Sequence, residues 1–220
     1  MRKLWRHHGL SLTLAALFVV TFAGQVFTGW YAFNDEQREH REQPVSLPAY
    51  LRTGHFGEAT FENFESEFLQ MACYVLLTAS LYQVGSSESK RPGKTEAVDR
   101  DPRRSKHPER APWPVRRGGF VLTLYENSLS LTFGTLFVAS FALHAVSGKV
   151  DFNDDRATHG EALVTLARYF ASSRFWFESL QNWQSEFLSL AAMVTLTIFL
   201  RQRGSPESKP VDAPNWETGE

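Results

Sequence analysis

The chain has a single cysteine, Cys73, among its 220 residues. That excludes an internal disulfide and any cysteine-built zinc or iron–sulfur centre. Cys73 lies in an apolar run and reads as a small buried side chain. The formal net charge of -1 carries no general nucleic-acid signal. The phosphate-cradling GxxxxGK[ST] loop, the dinucleotide GxGxxG fingerprint and the GxSxG nucleophile elbow are all absent. Nothing in the sequence assembles a nucleophile with a base, so no enzymatic activity is expected. No cofactor is expected either, since one histidine alone, His144, falls in a long apolar run, and a haem held between helices needs two axial ligands.

What is present is a duplication. Shifted by 119 residues, Leu10–Lys90 lies over Leu129–Lys209 without a gap, with 35 identities in 81 positions. LSLT recurs at Leu10 and Leu129, FND at Phe33 and Phe152, SEFL at Ser66 and Ser185, and GSxESK at Gly85 and Gly204. Two copies of one helix-loop-helix unit are therefore expected.

The mean hydropathy of -0.28 hides strong segregation of apolar and charged residues. Each copy holds two apolar stretches, and a helix of about 20 such residues crosses a hydrocarbon core of about 30 Å. The expectation is an all-α membrane protein with four transmembrane helices from two parallel repeats and short interfacial helices on the outer side. Repeat 1 covers 1–84, with spans at about 9–33 and 64–84. A basic, disordered linker covers 85–118. Repeat 2 covers 119–203, with spans at about 121–150 and 183–203, and a disordered tail covers 204–220. The basic, then apolar, start of the chain also fits a signal peptide. Its counterpart at 133–142 lies in mid-chain, so the element reads as a span.

Of the 23 Lys and Arg residues, 16 fall in the N-terminus, linker and tail, and 7 in the two loops inside the repeats. The positive-inside rule then puts both termini and the linker in the cytoplasm of a multi-pass protein. The partners expected are the lipid bilayer and other membrane proteins or further copies of the chain, with no nucleic acid.

Ionisable residues at membrane depth are the best functional pointers in such a protein. Counting back from Gln83 at 1.5 Å per residue sets Glu67 roughly 24 Å from the inner surface. Glu186 comes out at a similar depth from Arg201. Asn63, Ser66, Glu67, Gln70 and Tyr74 share a helix face, as do Asn182, Ser185, Glu186 and Ser189. Gln25 and His144 are the aligned positions on the first and third spans, so Gln25 with Glu67 and His144 with Glu186 are expected at one level. Two readings follow: a structural or partner-interacting bundle clasped by these groups, or a small proton- or cation-coupled transporter or channel that uses the Glu pair.

In the outward loops, Glu36/His40 and Asp155/His159 have i,i+4 spacing, a carboxylate and an imidazole on one helix face. They are weak metal candidates, because two ligands per copy leave a site incomplete. FND itself reads as a helix-ending turn. The aromatic segments that follow read as interfacial helices.

SEFLQMA, PWPVRRGG, SSRFWFESLQNWQSEFL and above all FLRQRGSPESKP (Phe199–Pro210) carry a resemblance over nearly the whole chain. The chain resembles a family of bacterial multi-pass membrane proteins classed as a domain of unknown function. The resemblance implies a bacterial cytoplasmic, or inner, membrane protein and supplies no activity and no site residues.

Overall fold

The computed structural model describes residues 2–105 and 108–219. Lys106, counted among the basic residues of the linker, lies outside that range, as do His107, Met1 and Glu220. The described chain is all-α, with eight α-helices: α1 (Arg2–Glu39), α2 (Leu47–Tyr50), α3 (Gly54–Ser80), α4 (Trp113–Arg117), α5 (Gly119–Glu126), α6 (Ser128–Thr158), α7 (Leu166–Phe170) and α8 (Ser173–Leu196). Helices α1 and α6 are long and apolar enough to cross a membrane. Helices α3 and α8 have 27 and 24 residues. Their first halves hold the acidic stretches ENFESE and ESLQNWQSE, which dilute the apolar character.

Helix ends follow from local chemistry. Proline is missing from α1, and the helix runs through FND to Glu39 rather than turning there. It stops at Arg41, which takes a left-handed φ of 64°. Glu42 N–H then reaches back to Gln37 C=O and Arg41 N–H to Arg38 C=O, which satisfies carbonyls the helix end would otherwise strand. The same arrangement closes α6 at Gly160 (φ 68°), with Glu161 N–H on Arg156 C=O. Thr53 and Ser172 cap α3 and α8 by accepting from Phe56 N–H and Phe175 N–H.

The chain divides into two compact units. The first comprises residues 1–61 and 142–175. Two asparagines organise it. Asn34 Nδ2 donates to Val45 C=O (3.1 Å) and its Oδ1 accepts from Val45 N–H (2.7 Å), so one side chain mimics a strand partner for the returning loop. Asn153 does the same for Val164, at 3.0 and 2.8 Å. Both asparagines are buried, and FND thus serves to clip the chain that follows the helix. Tyr50, the last residue of α2, and Tyr169, the last but one of α7, are buried in this core. Gly54 and Gly57 let α3 lie against α6: a Cβ on Gly54 would collide with the backbone of Ser147 and Asp151, and one on Gly57 with the Ser147 side chain. Small residues at a helix crossing are what close packing of long helices requires.

The second unit comprises residues 62–141 and 176–220. Gln70 Nε2 donates to Glu186 C=O (3.0 Å) and Ser189 Oγ (2.8 Å), and Trp183 Nε1 donates to Glu65 Oε1 (3.1 Å). These bonds tie α3 to α8. Phe137, Phe141, Trp176 and Trp183 form an aromatic cluster with ring centroids about 6 Å apart. The segments whose composition reads as disordered have defined backbone conformations here. Residues 85–118 carry three short 3-10 turns and α4. Gly219 N–H bonds Ser86 C=O, Gly85 N–H bonds Thr218 Oγ1, and Arg91 Nε bonds Thr218 C=O. The buried Lys209 ammonium donates to three tail carbonyls, those of Pro214, Asn215 and Glu217. Backbone carbonyls, which composition does not register, hold the tail together.

Candidate functional site

The richest chemistry lies in the first unit, where the exposed ends of α1 and α6 and the start of α3 enclose a polar cavity of about 630 Å³. Five carboxylates line it: Glu36, Glu42, Asp151, Asp154 and Asp155. His40, His55 and Arg174 complete its ionisable lining. Such an excess of negative charge in a concave site attracts cations.

At the inner side, Arg174 Nη2 sits 3.2 Å from Asp151 and 3.8 Å from Glu58 Oε1. Glu58, on α3, is buried (7% exposed) and accepts from Tyr169 Oη at 3.4 Å. His144, on α6, is fully buried, with its ring 4.9 Å from that of Phe175. A Glu58 carboxylate oxygen and a His144 ring nitrogen lie within 4.8 Å of each other. A buried carboxylate beside an imidazole can hold a shared proton or a cation. Arg174 leads from that pair to the cavity. Nearby, Tyr50 Oη lies 3.4 Å from His55 Nδ1. Burial pushes the Tyr50 phenol above its ordinary value, and the Asp151 charge adds to the shift.

The residues singled out from sequence fall in different places. Glu36, His40 and Asp155 line one cavity, and His159 faces His40 with ring centroids 6.2 Å apart. The two pairs approach each other through these rings, but among the described residues their four side chains do not converge on one point. His144 has Glu58 as the carboxylate neighbour in its own unit. Gln25 is half-buried on α1. On α3, Ser66 and Gln70 are buried while Asn63 and Glu67 are exposed, so the expected polar stripe is split. Asn182, half-buried, donates to Glu62, and the Glu186 carbonyl takes the Gln70 amide.

Sequence reasoning missed Glu58 and Glu65. Both were hidden by attention to matched pairs, for the positions 119 residues on are Phe177 and Gln184. The available signal for Glu58 was its place one turn after Gly54, on the helix face that carries two glycines.

Compared with known proteins, the whole chain, residues 1–220, matches the family model described as a domain of unknown function, DUF6766. The chain belongs to that family. No curated protein and no solved structure matches it.

Proposed function

We propose that the chain is a multi-pass protein of a bacterial cytoplasmic membrane, with four spans from two parallel repeats, that takes up protons or small cations from the outer side onto a buried Glu58–His144 pair. The membrane reading rests on exposed apolar surface. Leu10, Val20, Val138 and Leu188 are 75%, 69%, 63% and 71% exposed, and none of the most apolar stretch of α1 is buried. A soluble protein does not leave contiguous apolar surface of this extent facing water. Helices α3 and α8 are long enough to complete four spans at about 1.5 Å per residue. Duplication is supported by clips, caps and helix ends that recur 119 residues apart. Both termini and the linker face the cytoplasm, as the distribution of Lys and Arg favours.

The observation that carries the functional reading is the proximity of two buried ionisable groups, Glu58 and His144, to a polar cavity through Arg174. Ionisable groups buried among long apolar helices are costly and mark ion or proton paths. Glu67 and Glu186 are assigned instead to the clasp between α3 and α8, which the hydrogen bonds of Gln70, Asn182 and Trp183 favour.

The test is proton uptake by proteoliposomes loaded with a pH-sensitive dye under an inward proton gradient. Glu58→Gln is expected to abolish uptake, while Glu67→Gln combined with Glu186→Gln retains it and lowers Tm. Uptake unchanged in Glu58→Gln, or absent from the wild type, would overturn the reading.

A further inference from the structure

We infer that the pocket between the end of α3 and α8 binds an amphiphilic quaternary ammonium ion, an alkyl chain with a trimethylated cationic head. The site lies in the second unit, on residues separate from the Glu58–His144 pair, and does not rest on the proton-uptake reading. The pocket has a volume of about 290 Å³. Leu77 and Leu81 wall it on one side, and Phe187, Leu190 and Val194 of α8 on the other. Its polar lining gathers in the loop that follows the end of α3 at Ser80, with Gln83, Glu88 and Ser89. An apolar pocket with a few polar groups is the usual form of a small-ligand site. Leu77 and Leu81 are 48% and 59% exposed, so a chain longer than the pocket can continue along them.

The charge of the lining sets the sign of the ligand. Glu88 is its one ionised side chain among the described residues. Tyr74 Oη donates to Glu88 Oε2 and Ser87 Oγ to Oε1, but among the described residues no ammonium or guanidinium pairs with it. Lys90, two residues on, is neutralised by Asp99 at 2.8 Å. A carboxylate beside an apolar wall with no counter-ion favours a cation from outside. That cation is one that asks for no hydrogen bonds. Both Glu88 oxygens already accept from hydroxyls, and Ser89 Oγ accepts from Gln83 N–H and donates to Lys90 C=O. A primary ammonium would bring three N–H donors and strand some of them, whereas a quaternary one brings none. Quaternary heads are held by charge and by aromatic rings, and Tyr74, Tyr82 and Phe187 all line this space. The Tyr82 ring already lies under a cation, with Lys90 Nζ 6.0 Å from its centroid.

The experiment uses the full chain in a non-ionic detergent, with octyltrimethylammonium, octylammonium and octanol as probes of one chain length. Equilibrium binding of octyltrimethylammonium is expected to saturate at one per chain. Octanol, which lacks the charge, should bind the wild type more weakly by about tenfold or more. Octylammonium should fall between the two. These comparisons need no variant. Glu88→Gln keeps an acceptor for the Tyr74 hydroxyl, so it should retain the wild-type Tm while octyltrimethylammonium loses its advantage over octanol. Glu58→Gln should bind octyltrimethylammonium as the wild type does, even where it abolishes proton uptake, so the two readings can fail separately. Octanol binding as tightly as octyltrimethylammonium, octylammonium binding more tightly than it, or an affinity unchanged in Glu88→Gln would overturn the assignment.

Discussion

Tyr169 and Gly148 interlock: the Tyr169 hydroxyl occupies the space that a Cβ on Gly148 would need, and Glu58 Oε1 lies within 3.2 Å of that same point. The phenol reaches Glu58 only because α6 offers no side chain there. Gly148→Ala therefore displaces the hydroxyl and the carboxylate it bonds, and should destabilise the protein by about 1–3 kcal/mol, the usual cost of overpacking a filled site. A Cβ on Gly29 would meet the Tyr50 hydroxyl in the same way, although Tyr50 faces His55 rather than a glutamate. Gly29→Ala should thus lower Tm as Gly148→Ala does, yet leave proton uptake intact, whereas Gly148→Ala should impair both. Thermal unfolding and the uptake assay, run side by side, check the difference.

The asparagine clips give a second prediction. Asn153 serves Val164 N–H and Val164 C=O together, in a buried setting. Asn153→Ala strands both groups, and each stranded buried group costs about 1–3 kcal/mol. Asn153→Asp keeps the acceptor and loses the donor, so its loss should be intermediate. Hydrogen exchange at the Val164 amide reads this directly: exchange should quicken strongly in the Ala variant and little in the Asp variant. Equal exchange in both would mean that the clip does not hold the loop.

These clips show what was and was not legible beforehand. The long apolar helices α1 and α6 could be read from hydropathy and length. FND was read as a turn because Asn and Asp favour turns. In the structure the asparagine side chain reaches 11 residues along the chain to Val45 or Val164, a non-local bond that no local propensity registers. Glu58 escaped because it has no counterpart 119 residues on, where Phe177 stands, and a position unlike its partner gives no paired signal. The polar stripe expected on α3 is split, with Ser66 and Gln70 turned inward and Asn63 and Glu67 turned outward. Glu65, next to Ser66 in sequence, turns inward to take the Trp183 indole, and Glu67 turns out. Helical periodicity fixes which residues share a face but not which way that face points.

Lys90 and Lys209, 119 residues apart, give the last prediction, because their surroundings drive them in opposite directions. Lys90 Nζ is 2.8 Å from Asp99, and that hydrogen bond holds the lysine above its ordinary value of 10.5 and Asp99 below its ordinary 3.8. Lys209 has no carboxylate at bonding distance among the described residues. Burial pushes its ammonium below 10.5, and the nearby Arg201 charge adds to this. The signs then differ. The Lys90–Asp99 contribution is fully present between 3.8 and 10.5, and is lost as pH falls through the depressed Asp99 value or rises through the elevated Lys90 value. Lys209 binds its proton less tightly folded than unfolded. Its charge therefore opposes folding below the depressed value, and the penalty is relieved as pH rises toward 10.5. NMR of 15Nζ-labelled lysine should show Lys209 titrating at lower pH than Lys90, and the reverse order would contradict the caged geometry. The carbonyl cage has its own readout. Lys209→Ala removes the donor shared by Pro214, Asn215 and Glu217, so limited proteolysis should cut residues 210–219 faster than in the wild type, with the helices unchanged by circular dichroism.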